Sequence, residues 1–398
     1  MVKLAVISSH PIQYNAPIFA KLSLVDKLQL KVFYTWGQAK GKVYDPGFGK
    51  EREWDIPLLE GYDYEFLNNV SANPGSHHFK GIINPGIIKA IEHYNPDYIL
   101  VFGWSFKSHL KVLRYFHKRK IILFRGDSTL LDEPAGFSVK KIIRRVFLKW
   151  IYALVDYAFY TGEENKKYFS KHGLKNNQLL FMPHAVNNDA FSAKNEEYEA
   201  AALNWRNELG IGKDEFVFLF AGKFEKKKDP LLLIKSFRLL ALKDIRLIMV
   251  GNGMLEKEMK ALSGSDKRII FLPFQNQQKM PVVYRLGNVF VLPSCGPGET
   301  WGLAVNEAMA CKRAVIVSTK CGCAKDLVAE KNTGFVFDAG NLISLQNKLE
   351  FFLQNRQTAY EYGINGYTII DNWNYENAIG AVEKAMNLIP VSKPEICV

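Results

Sequence analysis

The feature that most limits what this chain can fold into is an alternation, carried through twice, of short continuous apolar runs with amphipathic helical stretches. The first series has runs at 3–8, 28–34, 98–102, 120–124 and 158–160; the second has runs at 216–220, 246–250, 269–271, 289–292, 314–317 and 334–337. Runs that are apolar throughout, and not at every other residue, suit parallel strands covered on both faces. Between the series the pattern breaks in a Pro/Asn-rich turn, MPHAVNNDAF at 182–191, and a polar, helix-prone stretch follows at 196–209. Two such series predict two doubly wound α/β domains, 1–190 and 191–372, with residues 373–398 forming a C-terminal helix that crosses back to the first. A cleft between such domains is then the default place for a ligand.

Composition narrows the function classes. A hydrophobic fraction of 48% and a charged fraction of 23% exclude disorder as the dominant state. No apolar run reaches the roughly 18 residues of a membrane span. The opening MVKLAVISSHPIQ is too short in its apolar part for a signal peptide, which predicts a cytoplasmic protein. Five cysteines make no disulfide framework. Cys295, Cys311, Cys321 and Cys323 cluster without a C-x2-C pair, so they read as buried or loop thiols, with a zinc site as the alternative. The net charge is +12, and residues 1–190 hold 26 Lys and Arg against 17 Asp and Glu. That excess predicts an anionic partner: a phosphorylated substrate, a nucleic acid or an acidic membrane surface.

Three segments of the second series carry chemistry. In 292–311, LPSCGPGETWGLAVNEAMAC, a strand ends, a Gly/Pro loop follows and a helix opens near Leu303. Glu299 in the loop and Glu307 in the first helical turns can face one pocket, and the amides from Thr300 through Trp301 and Gly302 to Leu303 can hold an anion. The competing reading is two solvated glutamates around a helix start. In 218–230, FLFAGKFEKKKDP, a strand runs into Gly222, then Lys223 and Lys228, two cations suited to a diphosphate or simply a lysine-rich surface turn. In 247–253, LIMVGNG, a strand meets Gly251 and Gly253, which a turn can need for geometry alone.

In this order and spacing the segments resemble family 4 of the retaining nucleotide-sugar glycosyltransferases (glycosyl transferases group 1), which have the GT-B fold: two Rossmann-like domains facing across a cleft. The resemblance rests on Gly222-Lys223-Phe224 with Lys228, on Val250-Gly251-Asn252-Gly253, on the 270–274 stretch ending Pro273-Phe274, on Pro293-Ser294 and on Glu299-x7-Glu307. It is strong over 216–337 and looser in the N-terminal half. It implies that 1–190 binds the acceptor and 191–372 the donor. It implies that Lys223 and Lys228 hold the donor diphosphate and stabilise the leaving group, that Glu307 takes the ribose hydroxyls, and that Glu299 takes the hydroxyls of the transferred sugar. Pro273 and Phe274 would pack near the base, and Thr300, Trp301, Gly302 and Leu303 would cradle sugar and phosphate. It also implies retention of anomeric configuration and no metal or other cofactor, in keeping with the lack of a D-x-D motif.

The sequence departs from the family pattern in several places. Lys223 stands where Arg is common, Trp301 where a smaller or phenyl side chain is usual, and Lys312-Arg313 replaces Gly-x-Pro. The first βα loop, usually a Gly pair, is Ser8-Ser9-His10-Pro11-Ile12-Gln13-Tyr14; its residues His10, Gln13 and Tyr14 become acceptor contacts, with helix capping the alternative for His10. Arg125 and Asp127 occupy a position where many members carry His; Arg125 would bind an anionic group, and Asp127 would orient an acceptor hydroxyl, or cap a helix. His77, His78 and Trp104 are further loop groups suited to the acceptor. Glu299, Lys223, Lys228 and Asp127 form the expected catalytic set.

Apolar residues from Val139 to Leu154 recur at helical spacing, with Lys140, Lys141, Arg144, Arg145 and Lys149 between them. The apolar side is expected to face the domain core and the basic side to remain available to an anionic membrane surface. The leading expectation is a metal-independent glycosyltransferase acting on a glycan or glycolipid acceptor in lipopolysaccharide or other polysaccharide biosynthesis. A sugar-nucleotide epimerase or disaccharide phosphorylase on the same fold is the alternative enzyme, and a basic nucleic-acid-binding protein the alternative outside enzymes. No nucleic-acid motif is present, and the first βα turn lacks G-x-G-x-x-G, which speaks against a dehydrogenase.

Overall fold

The computed structural model describes residues 1–39, 43–45, 50–52, 55–133, 136 and 138–388. The chain divides into two compact units. The first takes Met1–Val43, Pro57–Pro183 and the chain from Tyr375 onward; the second takes Tyr44–Ile56 and His184–Asn374.

In the first unit, β1 (Val2–Ser8) and β2 (Leu28–Tyr34) are joined by further strands later in the chain. Two short strands, β3 (Val43–Asp45) and β4 (Lys50–Arg52), form a separate two-stranded sheet, and apart from Val43 they fall in the second unit. Then come β5 (Asp63–Phe66), β6 (Tyr98–Phe102), β7 (Ile121–Arg125), β8 (Tyr157–Tyr160) and β9 (Leu179–Phe181). The sheet order is β5-β2-β1-β6-β7-β8-β9, parallel throughout. The second unit holds β10 (Phe216–Ala221), β11 (Ile245–Val250), β12 (Ile269–Leu272), β13 (Val289–Leu292), β14 (Ala314–Ser318) and β15 (Gly334–Phe337). Their order is β12-β11-β10-β13-β14-β15, again all parallel. Two Rossmann-like parallel sheets are the doubly wound domains expected from the alternation of runs, and they agree with the GT-B fold that the resemblance implies.

Burial explains the apolar strand composition. All six residues of β10 are buried, as are Leu247 to Val250 of β11 and all of β13, because helices cover both faces of the sheet. Each such side chain contributes about 1.5–3 kcal/mol on leaving water. Two strands of the two large parallel sheets fell outside the predicted runs, and both lie at sheet edges. β5 reads DYEF, with Asp63 and Tyr64 exposed, and β9 is three residues long. Edge strands tolerate polar residues and brevity that central strands do not.

The strand order reverses between β1 and β6 in the first sheet and between β10 and β13 in the second. At such a reversal the flanking loops diverge at the strands' C-terminal ends and leave a crevice. The loops after β10 and β13 are the segments in which Lys223, Lys228 and Glu299 lie.

One helix overturns an expectation. In Val139–Tyr152 only Leu148, Ile151 and Tyr152 are buried. Val139, Ile142, Ile143, Val146, Phe147 and Trp150, expected to face the core, are between 41% and 65% exposed. Among the described residues no helix is long and apolar enough to cross a membrane.

Candidate functional site

The second unit's candidate site is assembled by turns that lock one another in place. After β10 the backbone reaches Gly222, whose N–H donates to the Val250 carbonyl (3.0 Å), and Phe224, whose N–H donates to the Asn252 carbonyl (2.9 Å). Gly251 and Gly253 lie against this turn at φ of 144° and 155°. A Cβ on Gly251 would overlap the Gly222 carbonyl oxygen, and one on Gly253 would overlap the Phe224 backbone. The V-G-N-G segment therefore acts as a backing plate on which the lysine turn rests. Asn252 extends the lock: its Oδ1 accepts from the Phe274 N–H (3.0 Å), and its Nδ2 donates to Glu256 (3.0 Å). That fixes the Pro273-Phe274 loop, with Pro273 exposed and Phe274 half-buried.

The lysine turn continues through the 3-10 segment Lys226–Lys228 to Asp229, whose carboxylate accepts from the Leu232 N–H and caps the helix Pro230–Arg238. The loop after β13 is stitched to this turn, since the Cys295 and Gly296 N–H groups both donate to the Lys227 carbonyl (2.8 and 3.3 Å). On the other side the Gly322 N–H donates to the Glu299 carbonyl (3.1 Å) and the Cys323 N–H to the Trp301 carbonyl (3.0 Å). The Glu299 backbone is held from both directions before its side chain does anything.

These turns bring Lys228 and Glu299 together, with Nζ 2.6 Å from Oε2. The same oxygen accepts from Ser294 Oγ (3.0 Å). Both side chains are largely buried. Burial pushes the Glu299 pKa up, but the Lys228 charge and hydrogen bond, with Lys227 and Ser294, outweigh it and leave the carboxyl below its ordinary value. Burial pulls Lys228 down, and Glu299 reverses that to a net rise. The pair stays ionised, which is the state burial alone would oppose. Among the described residues both hydrogen bonds to the Glu299 carboxylate land on Oε2, so Oε1 faces no protein donor. Lys223, half-buried, sits in the same turn as Lys228.

Eight residues beyond Glu299, Glu307 lies on the helix Leu303–Ala310 and is 3% exposed. Its Oε2 accepts from the Tyr284 hydroxyl (2.6 Å) and its Oε1 from Gln277 Nε2 (2.9 Å). Tyr284 and Gln277 are site residues that sequence reasoning missed, because nothing local distinguishes a tyrosine that holds a carboxylate from one that fills a core. Gly302 opens the helix at φ 100° without a capping side chain. Of the first-turn amides, Val305 N–H donates to the Gly302 carbonyl (2.8 Å), and those of Leu303 and Ala304 have no acceptor inside the helix; Thr300 precedes them in the loop, half-buried.

Trp301 is expected to act through its backbone amide, and its side chain serves the fold. Its indole is buried, donates from Nε1 to Asn306 Oδ1 (2.8 Å) and stacks on Trp373 at 6.5 Å. Asn306 in turn donates to the His184 carbonyl (2.8 Å), so Trp301 acts as a support for the segment that begins this unit.

In the first unit, Arg125 is also a support. Its buried guanidinium donates to the carbonyls of Met182 and Pro183. Burial lowers its pKa to about 10, with Asp127 pulling the other way. An arginine committed to two backbone carbonyls at the unit's end is not placed as an anion receptor. Asp127 is half-buried. His10 follows β1, with Nδ1 3.0 Å from Ser9 Oγ and its ring edge-on to Trp36; Gln13 and Tyr14 follow, half-buried. His77 and His78 adjoin each other on the surface, with His78 bonded to the Asn73 carbonyl (2.9 Å). Trp104 packs edge-on against Phe147 at 5.6 Å. Unanticipated beside these is His109, wholly buried, with Nδ1 3.0 Å from the Phe102 and Gly103 carbonyls and Nε2 2.9 Å from Thr35 Oγ1. Burial lowers its pKa to about 4, so it is neutral and braces the ends of β2 and β6.

Among the described residues no three His, Cys, Asp or Glu side chains gather as metal ligands. Cys311, Cys321 and Cys323 are buried, and burial pushes the Cys311 and Cys321 thiols up to about 12, far from the thiolate a metal or nucleophile requires.

Residues 202–369 match the family described as Glycosyl transferases group 1. That segment contains Lys223, Lys228, Glu299 and Glu307. A D-inositol 3-phosphate glycosyltransferase of Arthrobacter is 28% identical over 167 residues, 40% of this chain and 39% of the relative. An uncharacterised glycosyltransferase of Methanocaldococcus jannaschii is 27% identical over 269 residues, 64% of this chain and 63% of the relative. The chain thus spans less than two thirds of the length of either curated relative. Among solved structures, Anabaena HepE in complex with UDP and glucose superimposes with a TM-score of 0.71 at 17% identity, covering 98% of this chain and all of that one. That likeness is one of fold.

Proposed function

We propose that this protein transfers a sugar from a nucleotide-diphosphate sugar to a glycan or glycolipid acceptor, with retention and without a metal. The observation that carries the proposal is the buried Lys228–Glu299 pair, held by the turns after β10 and β13 inside the segment that matches the glycosyltransferase family. An ammonium has three donors and gives one to Glu299; the others can reach a diphosphate. Lys223 in the same turn adds a second cation, and together they supply the positive charge that a divalent ion provides elsewhere. Glu299 Oε1 suits the hydroxyls of the transferred sugar. Glu307, fixed by Tyr284 and Gln277, still has lone pairs for ribose hydroxyls. The leaving phosphate takes the acceptor proton, and Asp127 and His10 serve the acceptor. That HepE is seen with UDP and glucose supports testing uridine donors first.

The test is a melting screen of uridine, guanosine and adenosine diphosphate sugars in the presence of EDTA. A true donor at a hundredfold excess over its Kd adds about 2.7 kcal/mol of stability. Lys223→Ala, at a half-buried position, should weaken the shift without lowering the unliganded melting temperature. Turnover with the acceptor followed by NMR then reads the product anomer. No shift with any donor, or an unchanged one in Lys223→Ala, overturns the reading; donor-dependent turnover that needs added metal, or an inverted anomer, overturns that part of it.

A further inference from the structure

The helix Val139–Tyr152 presents two apolar faces, and only one is used by the fold. At 100° per residue, Leu148, Ile151 and Tyr152 share an arc that meets the core, where all three are buried. Val139, Ile142, Ile143, Val146, Phe147 and Trp150 occupy an arc of about 140° on the opposite side, and all six are exposed. They are six of the twenty exposed large hydrophobics among the described residues, gathered on one helix of 14. Such a concentration marks a docking surface, since singly scattered apolar residues are what a monomer ordinarily shows.

The charge around the stripe says what docks there. Lys140 flanks it on one side, Arg145 and Lys149 on the other. The neighbouring helix Lys107–Phe116 adds Lys107, Lys111 and Arg114, all exposed, and the Arg114 guanidinium lies 5.9 Å from the Trp150 ring. Neither helix contains an Asp or Glu. Residues 101–150 hold twelve Lys and Arg against three acids, and of these Glu133 is already paired with Lys171 and Arg144. An apolar stripe that includes tryptophan and phenylalanine, bordered by cations, matches the boundary of an anionic bilayer, with apolar side chains among the acyl chains and cations among the headgroups.

We propose that the protein docks on anionic membranes through the outward face of the helix Val139–Tyr152. This goes beyond the donor reading and does not depend on it, because none of these residues belongs to the second unit. The full chain is sedimented with phosphatidylcholine vesicles with and without phosphatidylglycerol. We expect it to pellet with the anionic vesicles only and to be released by salt. Arg145→Glu with Lys149→Glu should lower the partition coefficient roughly 25-fold or more, taking about fivefold per cation removed. Ile143→Ser with Val146→Ser should lower it at unchanged charge, and both variants should melt like the parent. A parent chain that stays in the supernatant with anionic vesicles, or variants that pellet as it does, overturns the proposal. So does a dimer seen by light scattering that Val146→Glu splits in the absence of lipid binding, since the occupant is then a second copy.

Discussion

Two helices of this molecule depart from the rule of apolar inside and charged outside, in opposite directions. Leu303–Ala310 buries a carboxylate, Glu307, and every residue from Val305 on, whereas Val139–Tyr152 turns most of its apolar side chains to solvent. In the first case the cost of burying an acid is met by named donors, Tyr284 and Gln277. In the second, Trp104 meets Phe147 and Arg114 lies over Trp150, yet all six side chains of the stripe stay at least 41% exposed. The contrast separates two signatures of function: a buried charge that the fold has gone out of its way to support, and an exposed surface that the fold has left for something else.

The comparison can be broken most forcefully at the loop that leads into the first helix. Glu299→Gln leaves Lys228 buried without its counter-charge and should cost about 3–5 kcal/mol in urea unfolding. The same variant tests the pH response. The depressed carboxyl of Glu299 adds stability that is complete above the ordinary carboxylate range and is lost as pH falls through its folded value; the raised Lys228 adds stability that persists until pH climbs past its own. The parent should therefore lose stability on the acid side more steeply than Glu299→Gln.

Ile151→Ala, on the used face of the second helix, should cost about 2–5 kcal/mol, a core truncation like any other, measured in the same unfolding assay. Tyr284→Phe removes the hydroxyl from Glu307 Oε2 and should cost about 1.5–3 kcal/mol, the worth of a hydrogen bond to a charged group. The smallest effect belongs to the unused face. Val146→Ser should change stability by about 0.5 kcal/mol or less, although it removes a large apolar side chain. If Val146→Ser costs as much as Ile151→Ala, the outward face is packed after all and the contrast collapses.

Most of the fold was legible because central parallel strands carry long apolar runs; the runs at 216–220 and 289–292 lie within β10 and β13. The edges β5 and β9 were not, since an edge has no need of a continuous apolar run. In the candidate site, the spacing of Gly222, Lys223, Lys228, Glu299 and Glu307 was readable because turn and helix geometry are local. What each side chain faces was not. Trp301 and Arg125 are residue types that draw attention to a ligand, yet one hydrogen bond to Asn306 and two to the chain at 182–183 commit them to support. The Val139–Tyr152 helix was legible as amphipathic, but periodicity alone does not say which of two apolar arcs meets the core, and the longer one pointed outward.

The backing of one turn by another has a consequence for anyone who would re-engineer this protein. Gly222 and Phe224 keep their path only because Gly251 and Gly253 have no side chains, and Asn252 ties the same plate to Phe274. Residues 222–228 cannot be exchanged as a cassette by themselves. The smallest transplantable module is discontinuous in sequence, and directed libraries that vary one of its pieces while freezing the others will sample mostly misfits.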